Sequence, residues 1–131
     1  MNTNISVLDA LSNRIIGCAL TVANTLGSGF LEKVYENALA LALALELRRA
    51  GLAVAQQHGI SVVYLGVTVG EYVVDLLVEG VLLVELKTVR ALDHGHRAQC
   101  INYLRATGMQ LCLLLNFGTP RLEIKRVVCG L

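Results

Sequence analysis

The stretch VVDLLVEGVLLVELKT, residues 73–88, is an almost unbroken apolar run that nonetheless carries Asp75, Glu85 and Lys87 among its valines and leucines. Such β-branched and leucine-rich segments, split by a glycine-bearing turn at Glu79-Gly80, read as two strands of a hairpin. Glu85 and Lys87 are two residues apart on one strand and share a face. Whether Asp75 joins them depends on register. A two-residue turn sets Asp75 opposite Val84, on the face away from Glu85. A three-residue loop, Glu79-Gly80-Val81, sets it opposite Glu85, and Gly80 supplies the left-handed conformation such a loop needs. The odd-length register is the expected one, because it gathers the charges at one place.

Two carboxylates facing each other across neighbouring strands repel unless a cation lies between them, and Lys87 alone leaves the group one charge short. Oxygen ligands from Asp and Glu suit Mg²⁺ or Mn²⁺, an ion that polarises a phosphodiester and activates water while a lysine steadies developing charge. The bland alternative is an exposed sheet edge on which Glu85 and Lys87 form a weak surface pair.

Outward from this hairpin, the pattern is that of one domain. A chain of 131 residues closes around a single core, and its 55% apolar content with a mean hydropathy of +0.62 calls for a deeply buried sheet, a subunit interface or both. Self-association into a homo-oligomer is one outcome. The longest apolar stretch in a helical region, Ala38 to Leu45, falls short of the roughly 18 to 20 residues that span a bilayer, and the N-terminus lacks a secretion-signal pattern. No membrane partner and a cytoplasmic location are therefore expected. The four cysteines form no C-x-x-C unit and read as reduced thiols, and a formal charge of +1 neither supports nor excludes a polyanion partner.

Leu8, Leu11, Ile15, Ala19 and Val22 recur at helical spacing, which predicts a helix from about Val7 to Thr25. A second, capped by Ser28, is read to Ala50 with Leu31, Val34, Ala38, Leu41, Ala42 and Leu45 as its apolar face. Strands follow in ISVVYLG, EYVVDLLV and VLLVELKTV, then a helix from about His94 to Ala106 facing inward through Ala98, Ile101 and Tyr103 or Leu104, and strands in LCLLLNF and LEIKRVV. The order ααβββαββ, with no linker or repeat, predicts an α/β (α+β) domain over residues 1–131 with a mixed sheet flanked by helices.

Several separate blocks agree in order with a known family. GFLEKVYENAL contains G-x-x-E-x-x-Y through Gly29, Glu32 and Tyr35, and it is followed by GEYVVDLLVEGVLLVELK, HRAQCINYLRATG and LLLNFG. Together these closely resemble the GxxExxY family, small bacterial and archaeal proteins assigned to the PD-(D/E)xK nuclease superfamily. The resemblance implies a restriction-endonuclease-like fold and a Mg²⁺-dependent (or Mn²⁺-dependent) nuclease acting on DNA or RNA, with DNA favoured. It maps the catalytic acids and lysine onto Asp75, Glu85 and Lys87, and implies Glu32 and the Leu86 carbonyl as further metal ligands. The proline that names the superfamily motif is replaced here by Val74.

Gln99 and Tyr103, four apart on one helix face, resemble the Q-x-x-x-Y pattern of exonuclease-type branches. Gln99 is thereby a candidate for catalysis and substrate binding, Tyr103 for substrate binding, and both are equally readable as packing residues. His96 is a candidate phosphate contact or a helix-start residue, and Tyr35 a structural residue near the site. Arg97, Arg105, Lys125 and Arg126 are candidates for a phosphate-facing surface. The competing function is a non-catalytic interaction module that keeps the fold and acts through self-association or a partner in a nucleic-acid pathway.

Overall fold

The computed structural model describes residues 5–26 and 33–129, apart from the side chains of residues 33–35. Its elements run α1 (Ile5–Leu26), α2 (Lys33–Arg49), β1 (Val54–Tyr64), β2 (Val67–Val78), β3 (Leu82–Lys87), α3 (His94–Thr107), β4 (Leu111–Asn116) and β5 (Glu123–Val128). The expected order ααβββαββ is the observed one. The strands form a single mixed sheet in the order β1-β2-β3-β4-β5, with β3 and β4 parallel and the other neighbours antiparallel. Parallel pairing requires a crossover, and α3 supplies it.

The near-continuous hydrophobicity of the opening stretch follows from burial on both faces of the sheet. Leu82, Val84 and Leu86 of β3, with Leu111, Leu113 and Leu115 of β4, pack beneath α1 and α2. Leu83, Cys112 and Leu114 face α3 through Cys100, Tyr103 and Leu104. Val74, in the place of the motif's proline, is fully buried in this second core. All four cysteines are free thiols.

In α1, Leu8, Leu11, Ile15, Ala19 and Val22 are all buried, as their spacing predicts. The expectation that no segment reaches membrane-spanning length needs correction: this 22-residue helix is long and apolar enough by length and composition alone. It is nevertheless a core helix on one side, and its other side is bonded to the domain, with Arg126 donating to Asn13 Oδ1 at 2.7 Å and Arg14 to the Ala50 carbonyl at 2.7 Å.

The inward face of α2 also differs from expectation. Leu39, Ala40, Leu43, Ala44 and Leu47 are buried, whereas Leu41 and Leu45 are 49% and 57% exposed. The segment LALALALEL carries apolar residues on both sides, so periodicity alone cannot choose the face. On α3 the buried set is Cys100, Tyr103 and Leu104, and Ala98 is exposed. The start of α2, including the expected Ser28 cap and Leu31, lies outside the described residues, as does the side chain of Val34.

The β1–β2 hairpin is longer than ISVVYLG and EYVVDLLV suggest. It turns at Leu65-Gly66, both left-handed with φ of 50° and 79°, as a two-residue hairpin turn of the primed type requires.

Candidate active site

Position on the sheet decides the chemistry of Asp75, Glu85 and Lys87. Strands β2 and β3 pair Val78 with Leu82, Leu77 with Leu83 and Leu76 with Val84. The connection is therefore Glu79-Gly80-Val81, three residues, with Glu79 at φ 53° and Gly80 at φ 68°. Continuing the register by one step sets Asp75 opposite Glu85, as the odd-length reading requires.

At that step the side chains take over from the backbone ladder. The Asp75 N–H donates to Glu85 Oε1 at 3.3 Å, and the Leu86 N–H donates to Asp75 Oδ2 at 2.7 Å. Each carboxylate thus grips the other strand. A strand residue directs its N–H and C=O to the same side, so the Leu86 carbonyl also lies on the β2 side, next to Asp75. The Lys87 carbonyl lies on the opposite side, where it accepts from the Phe117 N–H at 2.8 Å.

The β1–β2 ladder is interrupted at the same level. It pairs Gln56 with Leu76 and His58 with Val74 but omits Gln57 and Asp75, and Gln57 has a left-handed φ of 50°. A non-glycine residue rarely adopts that conformation within a strand, and strain of this kind concentrates at functional positions. Asp75 therefore sits where both of its ladders break, with its backbone and carboxylate freed from regular pairing.

Glu85 is only 4% exposed. Tyr103 Oη donates to its Oε2 at 2.9 Å, and Lys87 Nζ lies 3.9 Å from the same oxygen. Burial, reinforced by the neighbouring Asp75 carboxylate and a hydrogen bond to it, pushes the Glu85 carboxyl up to about 8, while Tyr103 and Lys87 pull the other way. The Tyr103 phenol is raised above its usual range by burial and by Glu85. Burial and the facing Asp75 carboxylate therefore favour the protonated form of Glu85 in the neutral range, as at a site short of positive charge.

Other expected residues fall differently. Tyr103 is 2% exposed, so it presents no surface to a substrate; it positions Glu85 instead. Its ring meets that of Tyr72 edge-on at 5.4 Å. His96 completes a capping box for α3, its Nδ1 accepting the Asp93 N–H at 3.0 Å while its own N–H donates to Asp93 Oδ1 at 3.0 Å. Gln99 is half-buried one turn before Tyr103. Arg126 turns to the other face of the sheet, against Ser12 and Asn13 of α1. Glu32 and the Tyr35 side chain lie outside the described residues. Among the described residues no group of three or more His, Cys, Asp or Glu is arranged around a common point for an ion. The oxygen set that is described is the pair Asp75 and Glu85 with the Leu86 carbonyl.

Two supports were not anticipated from the sequence. Glu36 of α2 accepts the Thr88 N–H at 3.1 Å, tying that helix to the residue after Lys87. Fully buried Asn116 accepts the Val89 and Gly118 N–H groups, both at 3.0 Å, and donates to the Val89 carbonyl at 2.8 Å and Glu123 Oε1 at 3.0 Å. A polar residue ending an apolar strand, with glycine two positions on, was the available signal in LLLNFG.

Comparison with known families matches the PD-(D/E)XK nuclease superfamily over residues 9–127, which spans nearly the whole chain and contains both carboxylates, the lysine and the helix behind them. The chain belongs to the PD-(D/E)XK nuclease superfamily. A solved structure titled "Crystal structure of SSO0001" superposes with a TM-score of 0.52 at 20% identity, covering 72% of this chain and 50% of that one. This likeness concerns the fold, and the chain spans about half the length of that protein. No curated protein matches significantly. Members of a PD-(D/E)XK superfamily typically use divalent metal ions, and nucleic acid is the class of partner that a nuclease implies.

Proposed function

We propose that this PD-(D/E)XK domain is a Mg²⁺-dependent (or Mn²⁺-dependent) nuclease of the GxxExxY type, hydrolysing phosphodiester bonds of DNA in preference to RNA. The observation that carries the reading is the opposition of Asp75 and Glu85 across β2 and β3, each carboxylate accepting a backbone N–H of the other strand. Hard oxygen donors lacking one positive charge fit a small divalent cation. Asp75, Glu85 and the Leu86 carbonyl would hold it, with Glu32 as a further ligand. Bound there, the ion supplies Lewis-acid polarisation of the phosphoryl oxygens and a water of lowered pKa.

The remaining work belongs to the chain. Lys87 projects from the same face beside Glu85 and is placed to orient the attacking water and to steady charge that develops on the phosphate. Tyr103 keeps Glu85 in one orientation, and Leu83, Leu114 and Cys112 exclude bulk water behind it. Gln99, one turn earlier on α3, is assigned to contact with the strand or with Lys87.

The test is cleavage of single-stranded, duplex and branched DNA and RNA under Mg²⁺ and Mn²⁺, by wild type and by Glu85→Ala and Lys87→Ala variants. Wild-type cleavage that both substitutions abolish supports the reading; identical backgrounds for all three proteins would refute it.

A second reading has its own observation. The β1–β2 hairpin leaves Val63, Tyr64, Leu65, Val67, Val69 and Val73 between 54% and 85% exposed, a patch suited to self-association or to a protein partner. A domain acting only through that surface would bind without cutting.

A further inference from the structure

Beside the carboxylates, on the same face of the sheet, lies a cleft of about 550 Å³ lined by Leu92, Asp93, His94, Arg97, Leu114 and Lys125. Strand register fixes its place. Glu85 pairs with Leu114 on β4, and Leu114 pairs with Lys125 on β5. Paired residues project to the same face, and Leu114 packs in the core beneath α3. One transverse row thus runs Asp75, Glu85, Leu114, Lys125 across four strands. Lys125 stands two strand spacings from Glu85, roughly 10 Å.

Above this row, the first turn of α3 brings in His94 and Arg97. The side chains of Arg97 and Lys125 make no hydrogen bond or ion pair among the described residues. Three other arginines are committed, Arg14 to the Ala50 carbonyl, Arg48 to the Val54 carbonyl and Arg126 to Asn13, and no other arginine or lysine among the described residues lines this cleft. The acidic residue of the cleft, Asp93, is engaged as the helix cap through the His96 N–H. Two uncommitted cations therefore line one cleft floored by leucines, and low-dielectric walls strengthen the attraction of such a cleft for an anion.

We propose that this cleft is a phosphate subsite, which takes a phosphate of the nucleic-acid strand whose scissile bond lies at Asp75 and Glu85. It rests on the nuclease reading above and adds to it where the strand runs. Successive phosphates of a strand lie farther apart in space than their axial rise of about 3.4 Å, so a separation of roughly 10 Å is one or two nucleotide steps and sets the phosphate held by Arg97 and Lys125 outside the bond that is cut. Its contribution is to affinity and register, not to the chemical step. The phosphate is an internal one of a continuing strand or a terminal one at its end.

Fluorescence anisotropy in EDTA separates this subsite from catalysis, using labelled single strands bearing a 5′-phosphate, a 3′-phosphate or neither. Arg97→Ala and Lys125→Ala are each expected to weaken binding several-fold and to reduce the slope of log K against log salt by about 0.7. Arg49→Ala, on the opposite layer, is the control. Equal losses on all three strands identify an internal phosphate, and a loss confined to one phosphorylated end identifies a terminal one; both support the subsite. Variants that bind like the Arg49→Ala control, or a wild type that binds none of the strands, overturn it. Salt-sensitive binding through Arg97 and Lys125 without any cleavage would keep the subsite and remove the hydrolytic reading. Cleavage that needs Glu85 and Lys87 but is indifferent to Arg97 and Lys125 would do the reverse.

Discussion

Tyr103, from the helix that crosses between the two parallel strands, donates its hydroxyl to Glu85 at 2.9 Å from beneath the sheet surface, where both residues are almost wholly buried. The bond favours the charged form of Glu85 against the desolvation that opposes it.

Removing that hydroxyl makes Glu85 harder to ionise. Tyr103→Phe is expected to lower Mn²⁺ affinity near neutral pH by about tenfold or more, the usual cost of losing a residue that orients a ligand. Affinity recovers as pH rises, because ionisation of Glu85 is what the variant impairs. Calorimetric Mn²⁺ titrations across pH check this; equal affinity at every pH would leave Tyr103 a packing residue.

Stability without metal should fall as pH rises. Glu85 moves from an ordinary 4.5 in the unfolded chain to about 8 in the fold, so between those values the folded state binds the extra proton. The stabilisation is complete below pH 4.5 and is lost as pH climbs through 8, by an amount on the order of a few kcal/mol. Thermal melts in EDTA are expected to show Tm declining across this window, and Glu85→Gln to flatten the decline. Adding Mn²⁺ should offset it for wild type alone.

Gln57 is the strained neighbour of Asp75. Gln57→Gly relieves a left-handed non-glycine conformation and is expected to stabilise the fold by about 1 kcal/mol. Gln57→Val, whose branched side chain resists that φ, is expected to destabilise by about 1–2 kcal/mol and to weaken Mn²⁺ binding through displacement of Asp75. Denaturant melts with parallel ion titrations test both; a Val variant with wild-type ion affinity would uncouple Gln57 from the site.

The loop after Lys87 depends on Asn116 and Gly118. A Cβ on Gly118 would meet Val89 N at 2.6 Å and the Thr88 carbonyl carbon at 2.7 Å, so Gly118→Ala must displace the backbone next to Lys87. A loss of about 1–3 kcal/mol is expected from the overlap. Asn116→Ala, which leaves the Val89 N–H, the Val89 carbonyl and the Gly118 N–H without their side-chain partner, is expected to cost about 3 kcal/mol or more. Cleavage should fall in both at temperatures where each remains folded, since the segment that follows Lys87 loses its anchor at Val89; full activity there would confine these residues to stability.

Much of this protein was legible in one dimension. Period-two and period-three-to-four hydrophobicity marks the elements because burial of one face is a local property of spacing, and α1 shows it residue by residue. The charges Asp75, Glu85 and Lys87 stand out because a doubly buried strand otherwise excludes them. Even the register was within reach, since an odd loop is what brings two carboxylates together.

What remained depended on contacts between segments distant in sequence. The alternating Leu-Ala run of α2 offers two apolar faces, and packing against the sheet selects Leu39, Leu43 and Leu47 over Leu41 and Leu45. The strain at Gln57, the grip of Tyr103 on Glu85 and the Asn116 anchor likewise belong to no local pattern. The sequence by itself determined which residues carry charge and how the strands alternate, because both follow from side-chain chemistry and backbone period. Only the tertiary structure decided that Glu85 keeps a proton, that Tyr103 positions it, and that Arg97 and Lys125 share one cleft, because desolvation and proximity arise only once distant strands and helices are packed together.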